Sequence, residues 1–118
     1  MNNYKNLKIW QKSVDLAVKV YKSTNNFPKE EMYGLTSQIR RCAVSVPSNI
    51  AEGSGRNTDK DFRNFLGYSH GSSYELETQL LIANRVGFLE NEVFESLHEN
   101  IIEIQKMNYA LKKTLANS

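Results

Sequence analysis

The chain has 118 residues, of which 40% are hydrophobic and 24% charged, and its formal net charge is +2. This length predicts one domain over residues 1–118, and no apolar run approaches the roughly 18 residues of a transmembrane helix. A single cysteine, Cys42, excludes an internal disulfide and a cysteine-rich metal site. The first residues have no signal-peptide core and no glycine at position 2, so we expect a cytoplasmic protein without a membrane partner.

The charges are distributed unevenly along the chain. Residues 1–22 carry five lysines against one aspartate, residues 23–85 are balanced, and residues 86–118 carry three lysines against five glutamates. All five arginines fall in the balanced middle. This distribution indicates one basic end or face rather than a uniformly basic protein, and it keeps nucleic-acid binding open as a function.

Apolar residues recur at the spacings of amphipathic helices in four segments, and no segment alternates as a strand does. The first helix is predicted over about residues 6–23. Its main apolar face contains Leu7, Trp10, Val14, Ala17 and Tyr21, and a second flank contains Ile9, Leu16 and Val20. The second helix begins near residues 34–36 and ends at residues 53–55. Pro47 lies within its apolar stripe, and because proline lacks an amide hydrogen we expect a kink there.

The third helix is predicted over residues 59–86, after a capping box formed by Thr58 and Asp61. Small residues around positions 67–73 predict the close approach of another helix near the level of Pro47. The fourth helix runs from about residue 91 to residue 115, with Asn108 interrupting its apolar stripe. Four such helices with short connections predict an all-α, antiparallel up-down-up-down four-helix bundle.

No pattern of residues favours an enzyme. Glu95 and His98 match one half of a di-iron site, but His70, the other histidine, is not preceded by a glutamate at the same spacing. We expect His98 on the solvent flank, in a surface pair without a function. The pair of glycines at residues 53–55 follows a helix and is explained by a turn, and no nucleophile elbow is present. The sequence therefore predicts no catalytic residue, metal, cofactor or small-molecule substrate.

Polar residues form a line along one flank of the second helix, and a comparable line follows the third helix. If the two lines meet inside the assembly, Arg40 or Arg41 can pair with a carboxylate. A buried pair of this kind adds little net stability but specifies the register of the helices. We favour a structural polar layer over a ligand pocket, with the residues Gln38, Arg40, Arg41, Ser45, Asn49, Glu52, Ser72 and Glu75.

Two groups of basic residues are candidates for contact with nucleic acid. One group lies at the turn between helices two and three, and we expect the other, at the start of helix one, at the opposite end of the bundle. They are Arg56, Lys60 and Arg63, and Lys5, Lys8 and Lys12. In a monomer such charges are most simply a solvated surface, but repetition in a symmetric oligomer would create a strong field. We expect few exposed aromatic side chains, which favours backbone contact over base stacking.

Residues 33–53, which include Ser-Val-Pro-x-Asn-Ile-Ala-Glu-Gly, and residues 62–75 resemble the 23S ribosomal RNA intervening-sequence proteins. This bacterial four-helix bundle family is related to the accessory variability protein of diversity-generating retroelements. The resemblance implies a ring-like homopentamer without catalytic residues, whose partners are RNA or an RNA–protein complex such as a reverse transcriptase. We therefore expect a non-enzymatic oligomer that binds structured RNA. The alternative is a ring that serves as a protein-interaction scaffold with no nucleic-acid role.

Overall fold

The computed structural model describes residues 3–117. Its helices are α1 (Lys8–Ser23), α2 (Leu35–Ser54), α3 (Asp59–Arg85) and α4 (Asn91–Ala116), with short 3-10 turns at Tyr4–Asn6 and Lys29–Glu31. Residues 3–117 contain no strand, so the predicted all-α four-helix bundle is confirmed. None of these helices is long and apolar enough to cross a membrane.

Local interactions set the two ends of α3. The Thr58 hydroxyl accepts a hydrogen bond from the amide of Asp61 at 3.1 Å, which caps the start of the helix. The helix ends before Gly87, whose φ of 87° lies in the left-handed region that favours glycine. The amide of Phe88 then donates to the carbonyl of Ala83 at 2.9 Å. Between these two ends α3 is one continuous helix, despite the glycines and serines in its middle.

Neighbouring helices run antiparallel. Lys19, late in α1, donates hydrogen bonds to Ser96 and Asn100, which lie early in α4. Lys12, earlier in α1, pairs with Glu103, later in α4, at 3.2 Å. The start of α1 therefore lies beside the end of α4.

The start of α1 also lies at the same end of the bundle as the α2–α3 turn. The 3-10 turn that precedes α1 contacts α2, and Arg63, near the start of α3, donates to the carbonyl of Leu115 at the end of α4. The prediction that the two basic groups occupy opposite ends is wrong. An up-down chain returns to its starting end after every second helix, so residues 3–8 and the α2–α3 turn are neighbours.

The buried side of α1 is centred on the predicted second flank, and Ala17 of the predicted main face is buried beside it. Ile9, Leu16 and Val20, which were expected on the flank, are 3%, 1% and 0% exposed. Trp10 is half-buried, and Tyr21 is 43% exposed. Because α1 is apolar around more than half of its circumference, spacing alone does not tell which side faces the core.

Helices α2 and α3 approach each other closely at Gly53. A Cβ atom built on Gly53 would lie 2.6 Å from Cβ of Phe65, so only glycine fits there. At the level of Pro47, the hydroxyl of Ser69 donates to the carbonyl of Val46 at 2.9 Å, where the small residues predicted close packing. α2 continues through the buried Pro47, and the kink there stays a prediction.

Candidate nucleic-acid interface

The charges of the bundle are separated along its long axis. We define the basic end as residues 3–8, 52–63 and 106–117, which carry eight basic and three acidic side chains. The acidic end, residues 22–36 and 82–99, carries three basic and six acidic side chains. The bundle is 46 Å long and about half as wide, so the two ends are far apart compared with the range of charge screening. The basic end is the candidate interface.

The three basic residues predicted near the α2–α3 turn lie at this end in different surroundings. Arg56 forms an exposed salt bridge with Glu52 at 2.7 Å and lies over the ring of Phe65. Lys60 is exposed in the first turn of α3. Arg63 is half-buried, and its Nη1 donates to the Leu115 carbonyl at 3.1 Å. Arg63 therefore has an anchored guanidinium that forms no salt bridge with a carboxylate among residues 3–117.

The three lysines predicted at the start of helix one do not all lie at the basic end. Lys5 and Lys8 are exposed at the basic end, next to the α2–α3 turn. Lys12 is paired with Glu103, so its charge is largely balanced. The structure thus brings two of these lysines together with Arg56, Lys60 and Arg63 and leaves Lys12 apart.

The three lysines of α4 at the basic end, Lys106, Lys112 and Lys113, were missed by the sequence interpretation. Lys112 and Lys113 lie near Arg63 and line one cavity with it, of about 290 Å³, together with His70, Asn108, Tyr109 and Ala116. Neither lysine forms a salt bridge within residues 3–117. The side chain of Lys112 reaches α3, where its ammonium group lies 3.8 Å from the position that a Cβ atom on Gly67 would take. A signal was present in the sequence: the three lysines of α4 all follow its four glutamates.

Two buried polar atoms occur in side chains that line this cavity. Asn108 is 1% exposed, and its Oδ1 accepts no hydrogen bond from residues 3–117. His70 shares a hydrogen bond between Nε2 and the Tyr74 hydroxyl at 3.0 Å, whereas its Nδ1 has no partner in the described chain. Burial, and then the nearby Lys112 ammonium, lower the pKa of His70, so the imidazole is neutral at pH 7.

The predicted polar layer forms only in part. The hydroxyls of Ser45 and Ser72 lie 2.9 Å apart, so the two polar lines do meet, and Asn49 donates to Ser45. However, Arg41 and Glu75 are exposed, as are Gln38 and Glu52. The expected buried pair between an arginine and a carboxylate is therefore absent from residues 3–117. The polar line sits at the edge of the α2–α3 contact, where long side chains reach water instead of each other.

Arg40 faces α1 instead of α3. Its Nε donates to the hydroxyl of Thr24 at 2.9 Å, and its Nη2 lies 3.3 Å from Asn25 Oδ1. The guanidinium also lies over the ring of Tyr21, at 4.8 Å from its centre. Arg40 therefore joins the end of α1 to the beginning of α2, a structural role that differs from the one predicted.

The remaining reactive side chains form structural contacts. His98 is half-buried and not on the solvent flank, because its Nε2 lies 2.7 Å from Glu77 Oε2 of α3. Cys42 is buried, with Sγ 3.7 Å from Glu75 Oε2, and burial followed by that carboxylate raises the pKa of its thiol. Residues 3–117 contain no group of three or more metal-ligating side chains.

These features define an antiparallel four-helix bundle with one strongly basic end. A family model described as 23S rRNA-intervening sequence protein matches residues 5–110. The chain belongs to this family, as its central motif predicted. The link to the accessory variability protein of retroelements stays a prediction.

A solved structure supports the same fold. The chain is similar to a protein of unknown function from the S23 ribosomal protein family of Bacteroides thetaiotaomicron VPI-5482, with a TM-score of 0.80 and 27% identity. The match covers 89% of this chain and 98% of that one. No curated protein matches.

Proposed function

We propose that this protein is a non-enzymatic homo-oligomer, assembled as a pentamer, that binds structured RNA through its basic end. The observation that supports this proposal is the excess of five positive charges at one end of a chain whose net charge is +2. The chain belongs to the family of 23S rRNA-intervening sequence proteins, and this family name favours RNA as the negatively charged partner. Repetition of the basic end in an oligomer would multiply this field.

Such an interface would contact the backbone first. Lysine and arginine side chains that meet phosphates release counterions, so affinity depends steeply on salt and little on sequence. Contrary to expectation, several tyrosines are exposed. Tyr68 of α3 and Tyr109 of α4 are 60% and 63% exposed and can add stacking on unpaired bases.

The test is binding of an RNA hairpin with a 5′-hydroxyl end at about 50 mM and about 200 mM salt. Replacing Arg56, Lys60 and Arg63 together by alanine is expected to weaken binding at least tenfold and to flatten the salt dependence. The matched control removes three exposed charges at the acidic end, with the substitutions Lys22→Ala, Lys29→Ala and Arg85→Ala. Equal losses in the two triple variants would refute the basic end as the interface.

A second candidate function is a protein-interaction scaffold. Tyr33 is 94% exposed and Met32 is 53% exposed, side by side after the 3-10 turn that follows α1. Exposed apolar side chains of this size favour a contact with another protein. This alternative predicts negligible RNA binding at about 200 mM salt, and replacing Tyr33 by serine would then abolish capture of the partner. Light scattering determines whether the chain assembles with itself.

A further inference from the structure

We propose that the cavity between α3 and α4 at the basic end binds a phosphomonoester. This group is carried both by a nucleoside monophosphate and by the terminal phosphate of an RNA strand. The inference goes beyond backbone contact by the basic end, because it assigns one partly open cavity to one chemical group. It also differs from the expectation that the protein has no small-molecule ligand.

Three positive side chains from two helices converge on this cavity. Arg63 comes from the start of α3, and Lys112 and Lys113 come from the end of α4. The hydrogen bond from Arg63 to the Leu115 carbonyl fixes its guanidinium without neutralising it. Among residues 3–117, no carboxylate lines the cavity. A dianion would therefore find positive side chains that form no salt bridge within residues 3–117.

Two buried polar atoms beside the cavity lack hydrogen-bond partners within the described chain, which favours a ligand with polar groups. A buried acceptor without a hydrogen bond is costly, and the Oδ1 atom of Asn108 is such an acceptor. A ligand group that reaches this atom has to be a donor, as a ribose hydroxyl or a protonated phosphate oxygen is. The Nδ1 atom of His70 is also unpartnered, and a bound anion beside Lys112 would favour its protonated, donating form.

The size and walls of the cavity favour a phosphate that carries an organic group. A volume of about 290 Å³ is larger than an inorganic ion needs and close to the lower limit of small-molecule sites. The exposed ring of Tyr109 forms one wall. The cavity adjoins a second one of about 520 Å³, with which it shares His70 and Tyr109. A sugar and base can therefore continue along the α3–α4 groove.

Calorimetric titration of the full chain with AMP, adenosine and inorganic phosphate tests the inference directly. We expect AMP to bind, adenosine to give no signal, and phosphate to bind more weakly than AMP. Lys112→Met is expected to weaken AMP binding at least tenfold, because a charge-assisted hydrogen bond is lost. Lys22→Met, at the acidic end, removes the same charge and is expected to leave AMP binding unchanged. Circular dichroism shows that both variants are folded.

A pair of RNA strands separates the two sources of the phosphomonoester. One single-stranded RNA is prepared with a 5′-phosphate and with a 5′-hydroxyl. If the ligand is an RNA end, the phosphorylated strand binds at least tenfold more tightly than both the hydroxyl strand and AMP. If the ligand is a free nucleotide, AMP binds and the two strands are equal. The inference is overturned if AMP, phosphate and the 5′-phosphate all fail to add affinity, or if Lys112→Met and Lys22→Met behave alike. The hairpin with a 5′-hydroxyl end tests RNA binding by the basic end separately.

Discussion

The side-chain amide of Asn108 in α4 donates a hydrogen bond from Nδ2 to the main-chain carbonyl of Leu66 in α3, at 2.9 Å. The bond is fully buried, and the other atom of the same amide, Oδ1, is left without a partner in residues 3–117. The polar residue that interrupts the apolar stripe of α4 thus satisfies one atom and leaves the other unsatisfied. An arrangement of this kind lowers stability unless something else binds the free atom.

Asn108→Leu is therefore expected to preserve or raise stability. Leucine has a similar size, removes the unsatisfied acceptor, and leaves the Leu66 carbonyl bonded within α3. The free energy of unfolding should equal that of the wild type or exceed it by about 1 kcal/mol. Urea unfolding at fixed protein concentration measures it. The same variant should lose affinity for AMP. A large loss of stability would instead show that the bond to Leu66 outweighs the cost of Oδ1.

Gly53 and Gly71 form a matched pair for testing the α2–α3 contact. In Gly53→Ala the new Cβ atom would meet Phe65 Cβ at 2.6 Å, so we expect a loss of about 1–3 kcal/mol. In Gly71→Ala the new atom meets nothing within 4 Å. Because alanine is the better helix former, this variant should gain about 0.5–1 kcal/mol. Urea midpoints compare the two, and equal effects would contradict the close approach of the helices.

Arg40 and Arg41 are adjacent in the sequence, and we expect their replacement to affect stability very differently. Arg40→Ala breaks the hydrogen bonds to Thr24 and Asn25, and we expect a loss of about 2 kcal/mol. Arg41→Ala removes an exposed side chain, and its free energy of unfolding should change by less than about 0.5 kcal/mol. Thermal melting of both variants measures the difference. If Arg41→Ala were the more damaging change, Arg41 would have a buried partner outside this chain.

Stability is expected to fall in acid partly through His70. Because the pKa of His70 is lowered in the folded chain, the unfolded chain binds a proton at this site at higher pH than the folded chain does. Stability is therefore lost as the pH falls below about 6.5. The titratable groups that line the two cavities with His70 are Tyr74 and Glu77 of α3 and Lys106, Tyr109, Lys112 and Lys113 of α4, with Arg63 as a fixed charge.

The variant His70→Gln tests this dependence, because glutamine does not titrate. Urea midpoints are compared between about pH 8 and pH 5. The wild type should lose more stability over this interval than the variant does. Parallel curves for the two proteins would show that His70 does not contribute.

Most of the fold could be predicted from the sequence. The helix bounds follow from apolar spacing and from local signals such as Thr58 before α3 and Gly87 after it, which act within one turn of chain. Local signals could not tell which of Arg40 and Arg41 has a partner within the bundle. Adjacent residues on a helix differ by about 100° in direction, so the partner of each depends on how α2 is rotated against α1 and α3.

The candidate site was harder to predict because its residues are far apart in the sequence. Arg63 and Lys112 meet only through the register of α3 against α4, which the Asn108–Leu66 bond helps to set. The lysines of α4 were also overlooked because residues 86–118 have a negative net charge when they are counted together. The order of charges along α4 already shows an acidic first half and a basic second half. The position of each charge therefore predicts the basic end better than the net charge of the segment does.

The separation of charge along the 46 Å axis has a kinetic consequence. A body with opposite charges at its two ends experiences a torque in the field of a polyanion, which turns the positive end forward before contact. Such pre-orientation increases the fraction of productive collisions and accelerates association, most strongly at low ionic strength. The same torque turns the negative end away, so each chain would meet a nucleic acid end-on and leave its opposite end open to solvent.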